Sequence, residues 1–400
     1  VVILKTVILA GGEGKRLRPF TYSEPKVMIP VANRSIMEYI VRALVTNHIT
    51  DILIVVGYRK ERIMSYFGDG DDFGADITYV NQDKQLGNAH ALFAAREHIN
   101  DDFLVLPGDT LIDPRSIADL LGIGVGHGAL VVESDMPAKY GIAILERNRI
   151  KKIAEKREDG GLGNIVLTGA YKLPESFIEI LVQPVEAGDY NLSHAIGMHL
   201  DRMKLEPIFC QGLWIDAVYP WDLLEVNHAA LATAQLQTAG KIEKNVMIKG
   251  KVSIGEGTAV RSGTTLYGPI IIGSGCDIGP NVSIFPSTSI GDNVTIDAFT
   301  AIRNSLVMSD CSIGPHSLLS QSVIGYGVQV RSHLMAAASD AYINLEDEFY
   351  RVPNIGTLIG EDSRLGSGIS IEPGTIVGPK SRIFSGSRVN RNVPTGAIHS

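Results

Sequence analysis

Through the first 240 residues, short apolar runs alternate with helical patterns. Strands are predicted at Thr6–Ala10, Ile52–Val56, Ile77–Val80, Phe103–Leu106, Gly128–Val132 and Ile142–Leu145. Helices are predicted at Ile36–Asn47, Lys60–Phe67, Ala89–His98 and Pro114–Leu121. Such alternation predicts an α/β layer fold with a mostly parallel sheet. In that class, ligands sit at the carboxyl ends of the strands. The loop Gly11–Arg16 and the pair Gly108-Asp109 both follow strands, so both can face one crevice.

After about residue 243 the pattern changes. Aliphatic-Gly pairs recur at Ile254-Gly255, Ile272-Gly273, Ile278-Gly279 and Ile290-Gly291, at separations that are multiples of six. The beat resumes at Ile313-Gly314, Ile324-Gly325, Ile359-Gly360, Leu365-Gly366 and Val377-Gly378. A six-residue repeat predicts a parallel β-helix, in which each short strand supplies one inward aliphatic residue. The segment Ser339–Pro353 breaks the beat and is expected to loop out. Pro220–Ala239 reads as a helix that joins the halves. The expected domains are 1–225, a linker over 226–242, and a helix domain over 243–400.

Composition narrows the classes. The 400 residues exceed one ordinary core, which agrees with more than one domain. A net charge of -8 argues against a general nucleic-acid binder. No apolar run approaches the ~20 residues of a membrane span. No signal-peptide pattern opens the chain, so a cytoplasmic protein is expected. Cys210, Cys276 and Cys311 form no C-x-x-C pair and are expected to be buried free thiols.

The candidate chemistry starts in the loop Leu9-Ala10-Gly11-Gly12-Glu13-Gly14-Lys15-Arg16-Leu17-Arg18-Pro19, followed by Pro25-Lys26. Small residues let backbone N–H groups approach a polyphosphate. Arg16 and Lys26 add positive charge. The loop is not a Walker A motif, because Arg16 stands where Ser or Thr would be needed after Gly14-Lys15. It is not a dinucleotide fingerprint either, since Leu17 replaces the third glycine. Asp109 ends an apolar strand, where a carboxylate is costly unless something binds it. Magnesium is one partner, and a helix N-cap is the alternative, which Asp113 before Pro114 fits better. Asp216 also follows an apolar run, with a metal or a turn role equally open. Gln82 and Gln85-Leu86-Gly87 either read a base edge or form a polar loop. Glu155-Lys156 alone reads as an exposed ion-pairing surface. The histidines show no zinc spacing.

In order along the chain, these segments resemble the sugar-1-phosphate nucleotidylyltransferases, over roughly residues 5–230. The second half resembles left-handed β-helix domains. The resemblance implies a Rossmann-like nucleotidyltransferase domain followed by a left-handed parallel β-helix of hexapeptide repeats. It implies that Leu9, Gly11, Gly12, Gly14 and Lys15, with Gln82 and Gly87, bind the nucleotide. Arg16, Lys26 and Lys156 would be catalytic, and Asp109 and Asp216 would hold Mg²⁺. Gly141, Glu155, Lys156, Gly169 and Tyr171 would bind the sugar phosphate. The reaction implied is attack of a sugar 1-phosphate on a nucleoside triphosphate, with release of pyrophosphate. UTP or dTTP with glucose 1-phosphate or N-acetylglucosamine 1-phosphate is expected, and a mannose-1-phosphate guanylyltransferase is the alternative.

The combination is similar to two-domain enzymes whose helix domain assembles trimers, and in some cases acetylates an amino sugar. A homotrimer or a dimer of trimers is therefore expected. His316 lines up with that family's acetyl-transfer histidine. Ser317-Leu318-Leu319 lacks the expected aromatic. Ala336-Ala337-Ala338-Ser339-Asp340 replaces an Asn-Tyr segment, and Leu345-Glu346-Asp347-Glu348 replaces basic residues. Acetyl-CoA carries several phosphates, so acidic groups there weigh against its binding, and His316 is expected to be a remnant. Two other readings are a bifunctional enzyme and a non-catalytic regulatory subunit. Because Arg16, Lys26, Asp109, Lys156 and Asp216 are all present, an active enzyme is expected.

Overall fold

The computed structural model describes residues 4–124, 126–154, 163–234 and 237–400. It divides into two compact units. The first comprises Val1–Glu13, Glu24–Met28 and Ile36–Asp216, and the second comprises Gly14–Ser23, Ile29–Ser35 and Ala217–Ser400.

The first unit is built on one sheet. Strand Lys5–Ala10 lies between Asp51–Val56 and Phe103–Pro107, parallel to both, and Asp76–Asn81 extends the parallel set. Alternate residues feed two cores. Val7, Leu53, Val55 and Val105 face one, and Ile8, Ile52, Ile54 and Leu106 face the other. Burial on both faces explains why these strands read as continuous apolar runs rather than as alternating ones. Helix Ile36–Thr46 covers one face through Met37, Ile40, Val41 and Leu44. Helix Asn88–Ala94 covers the other through Ala91 and Leu92.

The sheet is mixed rather than mostly parallel. Ile165–Leu173 runs antiparallel to Phe103–Pro107, Gly128–Glu133 and Ile142–Glu146. The sequence pattern predicts no strand here; Thr168-Gly169 lies inside the observed one, where the register against Gly128–Glu133 shifts and Gly169 adopts φ 84°. A glycine that accommodates such an irregularity hides a strand from pattern reading. Predicted helix Ala89–His98 instead ends at Ala94, with a separate 3-10 turn over Arg96–His98.

The second unit is a parallel β-helix of three sheets. One inward column runs Ile254, Ile272, Ile290, Val307, Ile324, Ile359, Val377 in parallel register. The first two coils span 18 residues, but Ile290 to Val307 and Val307 to Ile324 span 17 each. The first short coil accounts for the phase break between Ile290 and Ile313, and the second for the one between Ile313 and Ile324. The segment expected to loop out is an antiparallel hairpin, Ser339–Leu345 with Glu348–Ile355. Alternation buries Ile343 and Val352 on one of its faces. On that same face Tyr350 packs against Tyr219 and Trp221, with ring centroids 4.7 and 5.5 Å apart.

The predicted joining helix is shorter than expected, covering Asp222–Thr233. Its buried Asn227 accepts from the Ala32 backbone N–H (2.9 Å) and from the Ser289 hydroxyl (2.6 Å), and donates to the Ser287 carbonyl (3.2 Å). These bonds tie Ile29–Ser35 into the second unit, a link that sequence separation conceals.

Candidate active site

The first unit gathers its charged groups at the carboxyl ends of the central strands. Phe103–Pro107 leads into Gly108-Asp109, and the short strand Thr110–Ile112 follows. Trp214–Asp216 pairs antiparallel with that strand, with Asp216 opposite Thr110. This register brings Asp109 and Asp216, over a hundred residues apart in sequence, to one point. Lys26, in the turn Lys26–Met28, lies between them, with Nζ 2.6 Å from Asp109 Oδ2 and 3.3 Å from Asp216 Oδ1. Burial alone would lower the Lys26 pKa. Asp109 and Asp216 more than offset it and hold the ammonium above the ordinary lysine range.

Asp109 is thus no helix cap. Asp113 fills that role, its Oδ1 accepting from the Ser116 N–H at 2.9 Å ahead of Pro114. Two hard carboxylates at one point suit magnesium, which commonly takes one or two carboxylates plus substrate phosphates. Among the described residues no cluster of three or more metal-ligating side chains forms, so any remaining ligands would come from substrate and water.

The glycine loop begins at the end of Lys5–Ala10, where the Leu9 carbonyl accepts from the Gly108 N–H at 2.9 Å. Gly11 and Gly12 need to be glycine for different reasons. A Cβ on Gly11 would stand 2.4 Å from Gln82 Oε1, whereas a Cβ on Gly12 would meet nothing within 4 Å. The fold demands Gly11, and the open surface at Gly12 leaves room for a ligand to come close. Gly14 takes φ 69° and opens the turn Lys15–Leu17. Lys15 and Arg16 are exposed there. Gly14 also accepts the Thr21 hydroxyl at 3.0 Å.

Gln82 is buried under the loop. Its amide donates to the Gly87 carbonyl and meets His90 Nδ1, both at 3.0 Å. Gly87 lies against Tyr190, whose carbonyl would be 2.5 Å from a Cβ at that position. Sequence reading missed His90 and Tyr190. Only three-dimensional packing brings them to Gln82 and Gly87, and neither carries a motif.

On the sugar-phosphate side, the Gly141 carbonyl accepts from the Leu167 N–H at 2.8 Å, and a Cβ on Gly141 would make only an ordinary contact with Leu167. Gly169 packs over Pro107. Tyr140 meets Trp214 edge-on, with centroids 5.3 Å apart. Tyr171 corrects an expectation. Its ring is fully buried in the core and its hydroxyl bonds Ser193 at 3.1 Å, so it cannot reach a sugar. Burial pushes its phenol up to about 12, against the small opposing effect of Ser193. Glu155 and Lys156 lie outside the described residues. In the second unit, His316 is exposed at a coil corner and stacks between Phe299 and His333, at 5.2 and 4.9 Å.

A family model described as nucleotidyl transferase matches residues 5–233, and one described as GMPPB C-terminal domain matches residues 266–339. The chain is 32% identical over 400 residues to the bifunctional protein GlmU of Methanococcus maripaludis, covering 98% of this chain and 95% of that protein. It is 30% identical over 349 residues to the glucose-1-phosphate thymidylyltransferase of Streptomyces antibioticus, covering 85% and 97%. Among solved structures, a putative glucose-1-phosphate thymidylyltransferase from Bacillus anthracis superposes with a TM-score of 0.54 at 27% identity, over 59% of this chain and 98% of that one. A family match over more than half its length, on the sheet that carries Lys26, Asp109 and Asp216, makes this chain a member of the nucleotidyl transferase family.

Proposed function

We propose that this enzyme joins UTP or dTTP to glucose 1-phosphate or N-acetylglucosamine 1-phosphate, giving a nucleoside-diphosphate sugar and pyrophosphate. One observation carries the reading: Asp109 and Asp216 converge on Lys26 at the carboxyl ends of the strands. The sugar phosphate is already an anion at neutral pH, so its oxygen attacks the α-phosphorus without a general base. Catalysis is then positioning and charge neutralisation.

Gly11, Gly12 and Gly14 frame the triphosphate, with Leu9 and Lys15 flanking it. Gln82 braces Gly11 and Gly87 beneath the base. Arg16 stabilises the charge that builds toward pyrophosphate. Lys156 grips the sugar phosphate, Glu155 takes sugar hydroxyls, and Gly141 and Gly169 let backbone approach the sugar. Asp109 and Asp216 would hold Mg²⁺, which when bound neutralises charge between two mutually repelling phosphates. Lys26 bridges both carboxylates and offsets one of their two charges, and its ammonium is placed to turn toward phosphate oxygens.

Residues 1–225 form the transferase domain in this reading, with 226–242 connecting to the helix domain of 243–400. The helix domain serves assembly into a homotrimer or a dimer of trimers. Acetyl-CoA is not a substrate. The stack of His316 between Phe299 and His333, and the acidic turn of the hairpin beyond it, support this. The protein acts in the cytoplasm without membrane or nucleic-acid partners. No described helix is long and apolar enough to cross a membrane.

The test is pyrophosphate release with Mg²⁺ across UTP, dTTP, GTP, ATP and CTP against a panel of sugar 1-phosphates. Release with UTP or dTTP and one of the two named sugars is the expected result. Turnover confined to GTP with mannose 1-phosphate would replace the substrate assignment, and no turnover by folded protein would replace the reading with a regulatory subunit.

A further inference from the structure

The β-helix carries a cavity of about 300 Å³ that no part of the transferase chemistry uses. Gly327, Gln329, Asp362, Arg364, Lys380 and Arg382 line it. Coil stacking puts them together. Gln329, Arg364 and Arg382 hold one register position on three successive parallel strands. Gly327, Asp362 and Lys380 hold the left-handed corner of the same coils, at φ 65°, 56° and 59°.

Three basic side chains gather at this cavity, while some arginines elsewhere on the helix are held in ion pairs. Arg261 is neutralised by Asp277 (2.9 Å) and Glu243 (3.2 Å), and Arg388 by Glu372 (2.7 Å). Among the described residues, Arg364, Lys380 and Arg382 have no ion-pair partner. Parallel strands lie about 4.8 Å apart, so two unpaired guanidinium groups stand on adjacent strands, an arrangement that like-charge repulsion disfavours. Lys380 adds a third cation at a corner where Gly, Asn or Asp sits more easily. Asp362 offsets only one of the three. A fold that keeps this arrangement keeps it at a cost in stability.

We propose that the cavity binds a diphosphate group. Each guanidinium fork can take one phosphoryl group bidentately, and Lys380 supplies a point charge between them. A diphosphate offers one phosphoryl group to each fork, whereas a single phosphate would have to bridge both. The lining is polar throughout, so it selects charge rather than an apolar body. None of the six lining residues is one of the transferase residues, so failure of this proposal would leave that reading untouched.

The test uses the full chain and inorganic pyrophosphate, titrated by calorimetry into the wild type and into the Arg364→Gln/Arg382→Gln double variant. The transferase site takes pyrophosphate too, so the informative quantity is the class of sites lost on substitution. The double variant should lose one class, with affinity there falling at least about tenfold. Forward nucleotide transfer should be unchanged. Without ligand, the variant should melt at the same temperature as wild type or higher, because unpaired like charges have been removed. Superimposable isotherms would overturn the proposal, as would a variant that melts lower without ligand, which would make these cations structural. Orthophosphate binding as tightly as pyrophosphate would overturn the diphosphate assignment. ADP matching pyrophosphate would identify a nucleotide-borne diphosphate, and ADP binding at least tenfold weaker would identify the free ion.

Discussion

The two units solve the same burial problem in opposite ways. In the β-helix, each coil repeats one solution, an aliphatic residue turned inward, and the inward residues stack from coil to coil. In the α/β unit, every strand and helix meets different partners, and the charged groups come together only because distant strands pair. Repetition gives a stable wall with little chemistry in it. Irregular pairing gives a place where Lys26, Asp109 and Asp216 can meet. Substitutions should therefore affect activity in one region and stability in the other.

The largest expected effect is on turnover. Asp109→Asn removes one of the two carboxylates, and Arg16→Ala removes charge stabilisation. Each should lower turnover by about two to three orders of magnitude, as read by pyrophosphate release; beside it, thermal unfolding should show little change for Arg16→Ala and a lower melting temperature for Asp109→Asn, which removes the nearer partner of Lys26. A variant within a few-fold of wild type would return that residue to a purely structural role. The helix should show the reverse. Ile296→Ala empties a fully buried inward position and should cost about 2–5 kcal/mol. Hydrogen exchange should show protection lost mainly in adjacent coils. Loss spread evenly over both units would contradict the nearest-neighbour picture.

Gly11 and Gly12 set the same contrast inside a single loop. Gly12→Ala meets open space, so stability should hold within about 0.5 kcal/mol. Turnover should still fall by up to about 100-fold, because a ligand pushed away by 1 Å reacts poorly. Gly11→Ala meets Gln82 and should destabilise the fold. If Gly12→Ala left turnover intact, the loop would not approach a phosphate at that residue.

Lys26 joins activity to stability. Its folded pKa is raised, so its contribution to stability is complete below the unfolded lysine value of about 10.4. The contribution fades as pH climbs from there through the folded value. Urea unfolding of wild type and Lys26→Met should show a wide stability gap at pH 8 and a narrower one at pH 11. A constant gap would mean that the two carboxylates do not set the lysine's charge.

What could be read from sequence follows the same division. The β-helix was legible because Ile254, Ile272 and Ile290 recur at fixed spacing, and period survives without any knowledge of contacts. The 17-residue coils blurred the spacing, and the hairpin at Ser339–Ile355 left no period to read. In the α/β unit the buried strands were legible as apolar runs, but Ile165–Leu173 was lost to its internal Thr168-Gly169. Asp109 and Asp216 were visible singly as carboxylates ending apolar runs. The pairing of Thr110–Ile112 with Trp214–Asp216 that unites them depends on register, which one sequence does not display. Tyr171 was misread because the resemblance of its segment carries no information on whether the ring faces a ligand or the core.

The smallest effect tests how closed the coil interior is. Cys276 and Cys311 are buried, and each Sγ lies 3.1 Å from a carbonyl oxygen of the next coil, at Gly291 and Gly325. Burial pushes the Cys311 thiol up to about 12, and raises Cys276 and Cys210 as well. Only a thiolate reacts readily, so at pH 8 the less buried Cys210 should label first and Cys311 only on unfolding. Val294 and Val328 hold the equivalent position in the coils beside Cys311, as the backbone bonds from Asp277, Thr295 and Ser312 show. Cys311→Val should then change stability by less than about 1.5 kcal/mol, since a thiol in this column packs as a small apolar group. Labelling of Cys311 in folded protein as fast as Cys210 would show that the coils open locally, and the helix would no longer be the rigid half of the comparison.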